Sequence, residues 1–139
     1  HMNADAIYKL NWQGFSILLC GTTDSDRKFH GFGLAVSSNE KKDDFKFMFN
    51  SVIGVVNKFN ETKVNFDTLV SDAAGSIRNA FRKVFGEDSC LIMCWAHMRR
   101  NCIKKIESMV NKEYQEELIN DLDQLQLSYS PEIFQRASN

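Results

Sequence analysis

Proline is almost missing from this sequence: Pro131 is the only one in 139 residues. That excludes a collagen-like or Pro-rich chain. Net charge is missing too, since 17 Lys and Arg stand against 18 Asp and Glu for a formal charge of -1. Such a balance argues against a wholly basic nucleic-acid coat, although a local basic face fits inside a neutral total. No apolar run approaches the roughly 18–20 residues that span a bilayer, so no membrane partner is expected. No secretory leader is visible, because the first apolar run, Phe15 to Cys20, is too short. The pair His1-Met2 looks like a cloning remnant and is set aside from the fold.

Four cysteines remain, Cys20, Cys90, Cys94 and Cys102. With no sign of secretion they are expected as reduced thiols, buried or metal-bound. What the chain does hold is apolar mass: 43% hydrophobic residues, 11 of them Phe. That is enough for a real core in one domain of ordinary size and excludes intrinsic disorder. The sequon Asn60-Glu61-Thr62 is short enough to arise by chance.

Hydrophobic periodicity divides the chain. Residues 4–10 read as a strand, 11–14 as a turn, 15–22 as a second strand and 29–37 as a third, with the polar loop 24–28 between the last two. Phe45, Phe49, Val52, Val56 and Phe59 then repeat at helical spacing, predicting a helix over about 40–60 that Ser38 or Asn39 can cap. Residues 66–71 read as a short buried strand, and Ala73 to Val84 as a second helix ending near Gly86. Residues 89–96 form a continuous apolar strand, and the pattern is helical from His97 onward. The order β-β-β-α-β-α-β-α calls for three antiparallel strands followed by parallel β-α-β-α-β crossovers. One mixed five-stranded sheet with helices on both faces satisfies it, and in a ribonuclease H-like arrangement the fourth strand pairs beside the first. Residues 3–112 are assigned to this core and 113–139 to a helical extension.

Two aspartates stand out. Asp5 lies mid-strand, where an acid needs solvent, a partner or a metal. Asp72 lies where the fourth strand passes into the second helix. If the first and fourth strands are parallel neighbours, the two carboxylates converge at one end of the sheet, where they can hold Mg²⁺ or Mn²⁺ for phosphoryl transfer. The plainer roles are an N-cap for Asp72 and a hydrated edge carboxylate for Asp5. Asp24 and Asp26 belong to the hairpin loop at the opposite end of the sheet and read as turn formers.

The segment Asp5-Ala6-Ile7-Tyr8-Lys9-Leu10-Asn11-Trp12 resembles the Asp-Ala-Thr-Tyr stretch that opens the catalytic domain of Mutator-like (MULE) DDE transposases. Val70-Ser71-Asp72-Ala73-Ala74 with Ile77, Ala80 and Val84-Phe85 resembles that family's second-aspartate segment. Cys94-Trp95-Ala96-His97 with Asn101 resembles its Cys-x-x-His element. The resemblance covers roughly residues 3–110 in order, and Ile7 stands where the family has Thr. It implies a ribonuclease H-like fold, Asp5 and Asp72 as the first two metal-binding acids, DNA as partner, assembly with further copies, and a nuclear location. The family's third acid has no counterpart in the matching segments, and it is expected beyond Asn139. Glu107 is the substitute inside the chain, but ten residues of helix past the last strand carry it roughly 15 Å away.

Cys90-x3-Cys94-x2-His97-x4-Cys102 offers four ligands of the type zinc prefers. Strand spacing keeps Cys90 some 13 Å behind Cys94, so a complete zinc site is not expected. The alternative is that all four cysteines are small core hydrophobes. His97, expected at the end of the last strand, and Cys94 are second-tier candidates near the acidic site. Residues 97–112 carry Arg99, Arg100, Lys104, Lys105 and Lys112 against Glu107 alone, and residues 113–123 carry five acids and no cation. The two stretches can pair with each other, or Arg99 and Arg100 can touch DNA phosphates. Two functions follow: the N-terminal portion of a transposase catalytic domain, inactive alone without its third acid, or a domesticated derivative that binds DNA or protein with a vestigial site.

Overall fold

The computed structural model describes residues 1–7, 12–59 and 63–138. Tyr8, Lys9, Leu10 and Asn11 of the expected first strand and turn, and the sequon at 60–62, lie outside the described residues. The chain forms two compact units, His1–Cys94 and Trp95–Asn139.

The first unit is built on five strands: β1 (Met2–Ile7), β2 (Ser16–Thr23), β3 (Phe29–Ser37), β4 (Thr68–Ser71) and β5 (Cys90–Met93). Helix α1 (Lys42–Phe59) follows β3 and helix α2 (Gly75–Phe85) follows β4. The sheet order is β3-β2-β1-β4-β5, with β1–β2 and β2–β3 antiparallel and β1–β4 and β4–β5 parallel. The fourth strand pairs with the first, the neighbour expected for it in a ribonuclease H-like arrangement. Met2 is no remnant as far as packing goes: it pairs with Leu69 and is fully buried.

Within this unit, α1 and α2 pack on one face of the sheet. The crossovers β3-α1-β4 and β4-α2-β5 advance in the same direction along the sheet, and right-handed connections then place both helices on one side. That side is the core, where Met2, Ala4, Leu18, Cys20 and Leu69 meet Phe45, Met48, Phe49, Val52, Ile77, Ala80 and Phe81. Phe49 stands edge-on to Phe81 with centroids 5.6 Å apart, and Phe85 lies 4.5 Å from Phe81. The other side leaves Leu34, Val36 and Ile92 exposed.

Local chemistry sets the element ends. Helix α1 begins at Lys42, later than the pattern suggested, because Asp44 takes the Lys41 N–H at 2.9 Å and the Ser37 hydroxyl at 2.8 Å. Neither Ser38 nor Asn39 caps it. The β2–β3 turn closes through Asp24, which accepts the Lys28 N–H and pairs with His30 Nε2 at 2.6 Å. His30 and the Lys28 amide hold the Asp24 carboxyl below its ordinary pKa. Beyond the turn, β3 gains one residue between the pairs Gly21↔Gly31 and Cys20↔Gly33. The extra residue, Phe32, has its ring 5.6 Å from Phe66.

The second unit holds α3 (Trp95–Met109), α4 (Lys112–Gln126) and α5 (Pro131–Ala137). Ser130 caps α5, with Pro131 in its first turn. Gln115 donates to the Val110 carbonyl at 2.9 Å, satisfying an orphan acceptor at the end of α3. No helix among the described residues is long and apolar enough to cross a membrane.

Candidate functional site

The site grows from strand register. Met2 pairs with Leu69 and Asn3 with Val70. Carried on by two residues, the same register sets Asp5 against Asp72. On the other flank of β4, Thr68 pairs with Cys90 and Ser71 with Met93. That register sets Cys94 against Asp72, and the Cys94 N–H donates to the Ser71 carbonyl at 2.7 Å. Extended in this way, the registers bring Asp5 of β1 level with Asp72 and Cys94, the residues that follow the ends of β4 and β5. Adjacent strands lie about 4.8 Å apart, close enough for neighbouring carboxylates to reach one cation.

These residues also fall at a distinctive place in the topology. From β1 the chain turns to β2 and β3 on one side; β4 and β5 lie on the other. The two acids therefore lie close to the point where the strand order reverses, on the carboxyl-terminal side of β1 and β4.

Each aspartate has local support. Asp5 alternates away from buried Met2 and Ala4, is half-buried, and accepts the Ala6 N–H at 2.8 Å. Asp72 is not the N-cap of α2, which starts three residues later with Ala74 in that position and no side-chain cap. Its Oδ1 instead accepts the Ala74 N–H at 3.0 Å, an Asx turn that holds the carboxylate at the strand end. Ser71, buried, donates its hydroxyl to the Asp72 carbonyl at 2.9 Å and so fixes the backbone on the near side.

A cleft of about 160 Å³ adjoins Asp72, lined among others by Ser71, Arg78, Ile92 and Met93. Arg78 escaped notice in the sequence because it belongs to no motif. The available signal was spacing: six residues after Asp72, it lies one turn into α2 and faces back toward the strand end. Its guanidinium makes no ion pair among the described residues.

Two carboxylates suit Mg²⁺ or Mn²⁺, which take oxygen ligands and keep several waters, so one or two protein acids suffice. Among the described residues no three His, Cys, Asp or Glu side chains are grouped to enclose a metal ion. The cysteines also differ from one another, contrary to a common core role. Cys20 is fully buried, and burial pushes its thiol up to about 11, whereas Cys90 is exposed and Cys94 and Cys102 are half-buried.

The remaining candidates belong to α3. The last strand ends at Met93, three residues earlier than expected, so His97 lies in the first turn of α3 and not at a strand end. Arg99 is engaged by Asp123 of α4 through two bonds, Nε to Oδ1 at 2.6 Å and Nη2 to Oδ2 at 2.8 Å. This forked pair raises the Arg99 pKa and lowers that of Asp123. The opposite charges of α3 and α4 therefore meet each other at this point. Arg100 is exposed, and Glu107 is an exposed residue far along the same helix.

The model of the MULE transposase domain matches residues 1–101, a span that contains β1 to β5 and both aspartates. No curated protein matches the chain. The match covers most of the sequence, so this chain belongs to the MULE transposase domain family.

Proposed function

We propose that this domain is the DDE-type core of a transposase, acting on DNA phosphodiesters with Asp5 and Asp72 as two of its metal-holding acids. The parallel pairing of β1 with β4, whose register carried on by two residues sets Asp5 against Asp72, carries this reading. The sheet order, with β1, β4 and β5 parallel and β2 and β3 antiparallel, supports a ribonuclease H-like core. A bound Mg²⁺ or Mn²⁺ would activate the attacking oxygen and stabilise the leaving one.

Within that chemistry the chain's own groups have separable tasks. Asp5 and Asp72 supply negative oxygen ligands from adjacent strands. Ser71 and the Ala74 amide fix Asp72 in position. Arg78, which makes no ion pair among the described residues, presents its guanidinium to phosphate oxygens in the adjoining cleft. Arg99 would have to surrender Asp123 before touching DNA, so Arg78 and Arg100 are the better phosphate contacts.

A second reading is favoured by one observation: among the described residues no third acidic ligand groups with the pair. On that reading the domain binds DNA or protein as a regulator with a vestigial site. Titration calorimetry with Mn²⁺ and a nicking assay on plasmid DNA separate the two. The transposase reading expects Mn²⁺ binding that falls at least tenfold in Asp5→Asn and in Asp72→Asn, without nicking by the 139-residue chain. Undiminished Mn²⁺ affinity in the double variant would refute the metal site. Arg78→Ala should leave Mn²⁺ affinity unchanged while weakening duplex binding and lowering its salt dependence by about one charge.

A further inference from the structure

Strand β3 is an edge of the sheet, and nothing in this unit pairs with its outer side. Natural edges are usually protected by lysine, proline or a covering segment. Residues 29–37 contain none of the first two, and no charged side chain apart from His30, which Asp24 holds at the hairpin end. From Gly33 to Ser37 the strand is regular, pairing in unbroken register with Ser16 to Cys20. Its outer edge therefore presents five residues of flat, uncharged backbone.

The surroundings of that edge are apolar on both sides. On the open side of the sheet Leu34 and Val36 are 67% and 62% exposed. On the helix side a groove of about 220 Å³ runs between β3 and α1, lined by Gly33, Ala35, Phe47, Ser51 and Val55 among others. Phe47, Ser51 and Val55 recur every fourth residue along α1, making one uncharged stripe with Phe47 68% and Val55 54% exposed.

We infer that this edge is a self-association surface, and that its occupant is β3 of a second copy of this chain, paired antiparallel about a twofold axis at Ala35. The self-complementary sequence selects that partner. Antiparallel pairing centred on Ala35 sets Leu34 against the second copy's Val36, an apolar cross-strand match, and Gly33 against its Ser37. Ala35 meets Ala35, the smallest contact possible on the helix side. No charge is buried anywhere in the pairing.

Helix geometry agrees. Helix α1 packs on both β2 and β3, so its axis runs above the space between them. With strands about 4.8 Å apart, two such helices related by the twofold lie roughly 10 Å from each other, within the normal packing distance. Their Phe47 and Val55 stripes then close over the dyad. The five paired residues span about 17 Å and the Phe47–Val55 stripe about 12 Å, so the contact is smaller than the roughly 1,000 Å² of a stable interface. Weak, transient association is therefore expected.

Sedimentation equilibrium of the 139-residue chain from 1 to about 200 μM tests this. The expected result is a monomer–dimer equilibrium, weakened at least tenfold by Phe47→Lys combined with Val55→Lys and likewise by Leu34→Lys. These residues are exposed, and circular dichroism confirms that each variant stays folded. Ile92→Lys, on the far edge strand β5, should leave the equilibrium unchanged. Oxidation of Ala35→Cys should yield a covalent dimer that the native thiols do not give under the same conditions. A strictly monomeric chain at the highest concentration overturns the inference. So does a dimer that Ile92→Lys disrupts and the edge substitutions spare, because the open sheet face would then be the interface.

Discussion

Removing the Phe81 ring should unfold the platform that carries Asp72. Phe81 is fully buried on α2, and its ring packs edge-on against Phe49 of α1 and at 4.5 Å from Phe85. Truncation to Ala removes the ring's transfer free energy and leaves a cavity in the contact between two helices. For a buried Phe the combined cost is about 3–5 kcal/mol. Domains of this kind are stable by only about 5–15 kcal/mol, so Phe81→Ala should sit near the folding threshold. Native-state hydrogen exchange at the amides of Leu18 and Leu69 reports global opening of the first unit without interference from the second. Phe81→Leu, which keeps most of the apolar volume, should lose less. A double-mutant cycle with Phe49→Ala should return roughly 0.5–1.5 kcal/mol of coupling for the edge-on pair. A Phe81→Ala loss below about 1 kcal/mol would refute the packing, since no buried aromatic in a close-packed core is that dispensable.

Two further tests probe the sheet. Gly21 leaves no room for a side chain, because a Cβ there would press on the His30 carbonyl and the Phe29 ring across the strand pair. Gly21→Ala should therefore cost about 1–3 kcal/mol by the same exchange measurement, and a neutral result would mean the β2–β3 irregularity is misplaced. Cys20 is protonated in the folded chain up to about pH 11, against an ordinary value of 9.0, because burial disfavours its thiolate. Below pH 9 folded and unfolded chains bind the same proton. Between pH 9 and 11 only the unfolded chain releases it, so stability falls, by up to about 2.7 kcal/mol for two pK units. Cys20→Ala should lack that increment in urea titrations at pH 8 and pH 11. The reagent DTNB should label Cys90 readily in the native protein and leave Cys20 untouched.

The legible parts of this chain were those governed by period and order. Phe45, Phe49 and Val52 at helical spacing became the buried face of α1, and the strand-helix order set in a ribonuclease H-like arrangement anticipated the pairing of β1 with β4. Carried on by two residues, that pairing sets Asp5 against Asp72, which no spacing along 67 residues of chain could show by itself. Boundaries were less legible because side chains outside the repeat decide them. Asp44 moved the start of α1, and the short β5 released Trp95 and Ala96 to α3 although both are apolar enough for a strand. Within the first unit, two successive crossovers in one direction put α1 and α2 on the same face. Arg78 was invisible because its significance is purely spatial.

The same topology explains why the acids and the proposed self-association surface do not compete. The chain lays β1, β2 and β3 outward in one direction and returns to build β4 and β5 in the other. The reversal point is central, so Asp5 in β1 and Asp72 just past β4 lie in the middle of the sheet. The free edge β3 is the end of the outward run, two strands from β1 and three from β4. At about 4.8 Å per strand, with the twofold axis half a spacing beyond β3, that is roughly 12 to 17 Å of sheet between the axis and the strands that carry Asp5 and Asp72. Pairing at the edge therefore leaves the two carboxylates uncovered. It also sets the Asp5 and Asp72 pairs of the two copies on opposite flanks of one continuous ten-stranded sheet.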